Sequence, residues 1–236
     1  EGNILYPHVI HTMKNGVKVG LVGIVTDYIN VWEKKENLLL KYVSQKRQEK
    51  VLKYKYELDQ KLSLYAALIV RMGISALTDI CASDLQFSSQ PNHKPFLLSD
   101  KNVDFNISHT KSAILCAISL NNSIGVDIEK IHLSPPLEIM SQVFHPKEIQ
   151  YINQSNLTQK PLRFFETWTK KEAYTKQMGI GLVEHPYKYN TLADPIASQL
   201  YSWKTDEYYC TVCGKEKFSP IIHTLTEDDI YNYYLI

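Results

Sequence analysis

Long apolar runs are scarce in this sequence. Leu64–Val70 and Ala113–Leu120 fall well short of the roughly 18 residues a membrane span requires, so a soluble chain with no membrane partner is expected. Cysteine is sparse too. Cys81, Cys116, Cys210 and Cys213 are spread too thinly over 236 residues for a disulfide framework, which points to a reducing compartment, the cytoplasm. Net charge is nearly absent: 26 Lys and Arg oppose 25 Asp and Glu, so no global basic field argues for nucleic acid, and an anionic ligand must be met by a local patch. The start lacks a basic segment followed by an apolar core, so it does not read as a secretory signal; Glu1–Thr12 reads as a tag remnant ahead of Met13, and residues 1–16 as an N-terminal extension. Sixteen tyrosines without interleaved basic clusters read as packed strand residues rather than a platform for bases.

A composition of 44% hydrophobic and 22% charged residues is that of a chain able to bury a core, which excludes wholesale disorder. Two patterns recur at almost the same interval. Val17–Thr26 and Ile124–Ile131 are short β-rich runs whose glycines, Gly20 and Gly125, lie 105 residues apart. Met72-Gly73-Ile74 and Met178-Gly179-Ile180, 106 residues apart, each read as a helix closing on glycine, with Asp59 a candidate N-cap of the first helix. The near-equal offsets suggest an internal duplication, although a chain with nine glycines can show such a coincidence by chance; the expected architecture is an α+β fold of two similar lobes, 17–120 and 121–236, separated at the polar Leu120–Ser123 and enclosing a cleft.

Chemistry-bearing residues fall into three groups. In Ile124-Gly125-Val126-Asp127-Ile128-Glu129 a strand packs its apolar members inward and sets Asp127 and Glu129 on the other face, ~7 Å apart, where both could meet one hard cation. The same alternation also describes the solvated face of a half-buried strand. Pro161–Met178 reads as a helix with proline in its first turn; steps of four along it give Trp168, Glu172 and Lys176, so an apolar stripe turns charged, although an ordinary surface pair would look alike. Phe105–Thr110, rich in small donors, suits a loop cradling phosphate. Arg47 and Lys50, three apart on a helix starting near Ser44, share a face and can neutralise a second phosphate. Two decoys are set aside. Cys210 and Cys213 have no second Cys/His pair and read as a buried strand, and Gly179-Ile180-Gly181 follows a helix where a dinucleotide loop would precede one.

In their order, Lys94-Pro95, Phe105–Thr110, Ile124–Glu129 and Trp168–Lys176 resemble the 4′-phosphopantetheinyl transferase superfamily, through the G-[IV]-D-[IV]-E and W-x-x-K-E-x-x-x-K motifs. The resemblance runs from about Val17 into the C-terminal strands and is to the larger, monomeric, two-lobed type. It implies transfer of the phosphopantetheine arm of coenzyme A to a serine of an apo acyl, peptidyl or aryl carrier protein, releasing adenosine 3′,5′-bisphosphate. It further implies Mg²⁺, or Mn²⁺, held by Asp127, Glu129 and Glu172, with Lys176 assisting at the pyrophosphate and Glu172 also the candidate base for the serine. Arg47, Lys50 and His109 would meet the 3′-phosphate, Ser108 the pyrophosphate, and Lys94-Pro95 the adenosine, with Ser63 a further matching position. His93 stands where the family usually has glycine, and Leu62 where a basic residue is common. A carrier- or coenzyme-A-binding module without catalysis, and a zinc-dependent interaction domain on Cys210 and Cys213, are the readings from other classes.

Overall fold

The computed structural model describes residues 21–25, 31–88, 94–180 and 185–236. The N-terminal extension 1–16, Gly20, His93 and Gly181 lie outside the described residues.

Helices α1 (Lys34–Leu39), α2 (Gln45–Leu52) and α3 (Glu57–Leu77) are followed by the strand pair β2 (Phe87–Ser88) and β3 (Phe96–Leu97). The first sheet has the order β4-β5-β1-β9, from β1 (Leu21–Val25), β4 (Val103–His109), β5 (Ile114–Leu120) and β9 (Ile221–Leu225). The second has the order β6-β8-β7, from β6 (Ile124–Lys130), β7 (Leu200–Lys204) and β8 (Tyr208–Gly214). Between β6 and β7 run α4 (Met140–Val143), α5 (Pro146–Asn153) and α6 (Lys160–Met178); α7 (Glu227–Leu235) ends the chain.

Two successive α+β units are thus present, and β5 joins their cores. Its Ile114, Cys116 and Ile118 face the cluster built on α3, while Ala113, just before it, and its Leu115 and Ala117 face Ile124, Val126 and Ile128 of β6. A strand buried on both faces reads as a continuous apolar run, which is why Ala113–Leu120 shows no alternation. The last strand and helix return to the first unit: β9 pairs parallel with β1, and Leu225 and Ile230 join the α3 cluster. There Lys61, fully buried, lies 3.0 Å from Glu227 of α7, and the Tyr65 hydroxyl donates to Glu36 at 2.7 Å. Residues 221–235 of the expected second lobe therefore complete the sheet and helical layer of the first.

Three local expectations are corrected. Gly73 is buried inside α3, which runs four residues further to Leu77, so it is not the counterpart of Gly179, which does close α6 in the left-handed region at φ +73°. Asp59 lies in the first turn of α3, whose N-cap is Tyr56; its charge there still suits the helix dipole. Phe105–His109 belongs to strand β4 rather than to a loop, because Val103, Phe105 and Ile107 alternate into the α3 cluster. Between β5 and β6 the chain passes through Asn121 at φ +61°, a conformation asparagine tolerates.

Candidate active site

The seam between the two sheets is held by side chains. β4 and β6 are both edge strands, and edge strands carry backbone donors without ladder partners. The even-numbered residues of β4 supply acceptors: Asp104 Oδ2 accepts from Ile124 N at 2.7 Å, and Asn106 Oδ1 from Val126 N at 2.9 Å. Ser108, two residues on, donates to Asp127 Oδ1 at 2.8 Å. Lys94 closes the other end of this row, pairing with Asp104 and donating to the Ile124 carbonyl at 2.6 Å.

The face of β6 that bears Gly125, Asp127 and Glu129 is covered by α6, and Gly125 sets how closely. A Cβ there would overlap the Ala173 carbonyl oxygen and the Gln177 amide nitrogen, so the helix backbone rests directly on the strand. Four helical residues rise ~6 Å and two strand residues ~6.6 Å, so a stripe spaced by four on α6 stays in step with alternate residues of β6. The contacts depart from that match: long side chains at the two ends of the stripe, eight residues apart, reach inward to two strand residues that are only two apart. Lys176 Nζ donates to Asp127 Oδ1 at 2.7 Å and to Ser108 Oγ at 3.3 Å, and Trp168 Nε1 donates to Glu129 Oε1 at 3.1 Å. Glu172 lies one turn from each, close enough to Asp127 to feel its charge.

Three carboxylates thereby share a half-buried seam with one ammonium. Burial, then repulsion by Asp127, raises Glu129 to about 7, opposed by the Trp168 hydrogen bond and Lys176. Burial and Asp127 raise Glu172 as well, with Lys176 opposing. Asp127 is only 3% exposed, and its Oδ2 is buried with no hydrogen-bond partner. A buried carboxylate oxygen without a donor is costly, and an all-oxygen donor set of this kind suits a hard divalent cation. Among the described residues, no three such side chains already close into a ligand shell.

Behind β4 lies a second feature, a cavity of about 170 Å³ lined by Ser44, Lys46, Arg47, Arg71, Pro95 and Phe105, among others. Arg47 occupies the first turn of α2, where the Ser44 hydroxyl accepts from its amide at 3.3 Å, and its guanidinium reaches Ser63 Oγ at 3.4 Å. Arg71 donates to the Ala82 and Leu85 carbonyls at 2.8 and 3.0 Å and lies over the Phe87 ring. Burial lowers both guanidinium pKa values, yet arginine stays charged in proteins, so the cavity wall is cationic. Strand β4 connects the two features, presenting Phe105 and Ile107 to the cavity and Ser108 to Asp127.

The structure therefore gathers Ser108, Asp127, Glu129, Glu172 and Lys176 at the seam, and Arg47, Ser63 and Pro95 at or beside the cavity. Lys50 and His109 are exposed and do not line it, and the Lys94 ammonium is engaged with Asp104. Sequence reasoning missed Arg71, although a single cation inside the apolar run Leu68–Met72 was a legible signal. It also missed what Lys171 of the tryptophan motif does. That side chain is fully buried, 2.7 Å from the equally buried Glu148 of α5, and it bonds the Tyr189 carbonyl, so it ties α6 to its neighbours. Cys210 and Cys213 lie on β8, both buried, their thiols pushed up to about 12 chiefly by burial.

Comparison with known proteins agrees with the motifs. A model of the 4′-phosphopantetheinyl transferase superfamily matches residues 123–231, and one described as 4′-phosphopantetheinyl transferase, N-terminal, matches residues 31–121. The chain is 33% identical over 146 residues to the 4′-phosphopantetheinyl transferase gsp of Aneurinibacillus migulanus, covering 62% of this chain and 60% of that relative. It is 30% identical over 162 residues to the 4′-phosphopantetheinyl transferase Sfp of Bacillus subtilis, covering 69% and 71%, and 29% identical over 120 residues to HetI of Nostoc, covering 49% and 51%. With both units matched in succession and the seam built from the motif residues, the chain belongs to the 4′-phosphopantetheinyl transferase superfamily, of the Sfp type.

Proposed function

We propose that this chain transfers the 4′-phosphopantetheine arm of coenzyme A to a serine hydroxyl of an apo acyl, peptidyl or aryl carrier protein, releasing adenosine 3′,5′-bisphosphate. The observation that carries the reading is the face of β6 under α6, where three carboxylates and Lys176 lie near one another and one buried oxygen of Asp127 has no donor. Asp127, Glu129 and Glu172 would hold Mg²⁺ or Mn²⁺, which supplies positive charge against the pyrophosphate. Lys176 and Ser108, hydrogen-bonded to each other and to Asp127, would turn to donate to pyrophosphate oxygens. The serine oxygen forms its bond to the phosphorus that bears the pantetheine, and the bond from that phosphorus to the bridging oxygen breaks. The serine proton passes to Glu172, whose raised affinity for a proton suits a base, and the leaving group departs with the bridging oxygen.

The cationic cavity supports coenzyme A as the donor. Arg47 would meet the 3′-phosphate, joined by Lys50 and His109 if the bound ligand draws them in, while Pro95 at the cavity and Lys94 beside it would meet the adenosine. In this reading the protein is a cytoplasmic monomer. Both units lie in one chain, Cys116, Cys210 and Cys213 are buried free thiols, and no described helix is long and apolar enough to cross a membrane.

The test is to incubate the protein with coenzyme A, Mg²⁺ and a panel of apo carriers and to weigh the products. A carrier that gains the phosphopantetheine mass, with adenosine 3′,5′-bisphosphate appearing in equal amount, supports the proposal. Carrier binding without any mass gain across the panel overturns it in favour of the non-catalytic module.

A further inference from the structure

Residues 41–55 carry six cations, Lys41, Lys46, Arg47, Lys50, Lys53 and Lys55, against one acid, Glu49, in a chain whose total charge is +1. None of the six forms an ion pair among the described residues, and Glu49 accepts a hydrogen bond from Gln45. The segment ends in an exposed turn between α2 and α3, where Leu52, Tyr54 and Tyr56 are 58%, 37% and 62% exposed. Lys55 lies 5.3 Å from the Tyr56 ring centroid, so cation and ring share one surface. Five net charges held close together along one short segment repel one another, and large apolar side chains left in water gain nothing there. Both features are relieved together by an anionic surface with an apolar centre.

We propose that the α2–α3 turn is a docking surface for an acidic face of the protein substrate, with Lys53 and Lys55 as its charged rim and Leu52 and Tyr56 as its apolar contact. The identity of the partner rests on the transfer reading above; the surface itself rests on charge complementarity. Its position agrees with that role, since Lys46 and Arg47 of the same segment line the cavity and Tyr54 is close enough to Arg47 to act on its charge. A protein fits better than a nucleic acid or a lipid surface. The apolar members are aliphatic as well as aromatic and lie in a turn, rather than along a groove of stacking rings or on one face of a long amphipathic helix.

Two double variants test it, Lys53→Glu with Lys55→Glu and Leu52→Ser with Tyr56→Ser; none of these four side chains lines the cavity or reaches the seam. At low salt, the charge variant should raise the KM for apo carrier about tenfold, leaving kcat and the KM for coenzyme A within about twofold. In 1 M salt, where screening acts over ~3 Å, that difference should disappear. The apolar variant should raise the carrier KM severalfold at both salt concentrations. Wild-type turnover with an unchanged carrier KM in both variants overturns the docking surface alone, as does an equal rise in the KM for coenzyme A. Loss of binding to anionic phospholipid vesicles or single-stranded DNA, with carrier kinetics intact, also overturns it and assigns the patch to that partner. A wild type that modifies no carrier overturns the transfer reading instead.

Discussion

Gly125 and Ala173 meet without a side chain between them: the position a Gly125 Cβ would take overlaps the helix carbonyl oxygen. This contact sets the height of α6 above β6, and so the distance from Lys176 to Asp127 and from Trp168 to Glu129. Backbone atoms rather than a flexible side chain form the obstruction, so relief requires moving the helix.

Gly125→Ala should therefore destabilise the protein by about 3 kcal/mol or more and reduce transfer further than the stability loss explains. Gly179→Ala is the control. Nothing lies within 4 Å of its Cβ position, so only the left-handed backbone penalty of ~1–2 kcal/mol applies, and activity should survive at permissive temperature. Thermal melts with single-turnover rates separate the two, and similar activity losses would argue against the helix-height role.

Asp127 is buried and bonded to both Ser108 and Lys176, so truncation to alanine should cost stability as well as activity. Asp127→Asn keeps the shape and removes the charge. It should unfold within a few degrees of the wild type in metal-free buffer, yet lose transfer and lose the stabilisation that Mg²⁺ gives the wild type. EDTA should silence the wild type, with Mg²⁺ or Mn²⁺ restoring it; full activity in EDTA would exclude the metal.

Glu172→Gln should fold and bind carrier while its turnover falls by roughly 10²–10⁴-fold, the range expected for loss of a general base. Carrier mass under single-turnover conditions is the readout. A wild-type rate would remove Glu172 from the chemistry.

Stability without metal should depend on pH through Glu129. Its folded pKa, about 7, lies above the ~4.3 of an unfolded glutamate, so its contribution is fully present below the lower value and is lost as pH rises through the upper one. The metal-free melting temperature should fall between pH 5 and 8. Glu129→Gln should flatten that fall, and Mg²⁺ should oppose it in the wild type by favouring the charged form.

Arg47 and Lys50 are distinguished by their surroundings: one lines the cavity with Ser63 against it, and the other is exposed. Arg47→Ala should raise the KM for coenzyme A about tenfold or more, with little effect on dephospho-coenzyme A, which lacks the 3′-phosphate. Lys50→Ala should change it only a few-fold. Equal losses for both ligands would remove Arg47 from phosphate binding.

Local order along the chain determined a great deal by itself. The alternation in Ile124–Glu129 placed Asp127 and Glu129 on one face of a strand. The four-residue steps from Trp168 placed Glu172 and Lys176 on one stripe of a helix, and Gly179 marked where that helix stops. These are periodic features of neighbouring residues, so they are written in sequence. What only the tertiary structure decided depends on contacts between distant segments. The face bearing Asp127 is roofed by α6 rather than solvated, β4 is a strand whose even residues stitch two sheets together, and Lys171 is spent on Glu148. The last strand and helix return to the first sheet, a pairing of Ile221–Leu225 with Leu21–Val25 that no local pattern encodes. A strand's period states which side chains share a face; which element covers that face is settled by what the rest of the chain has left to bury.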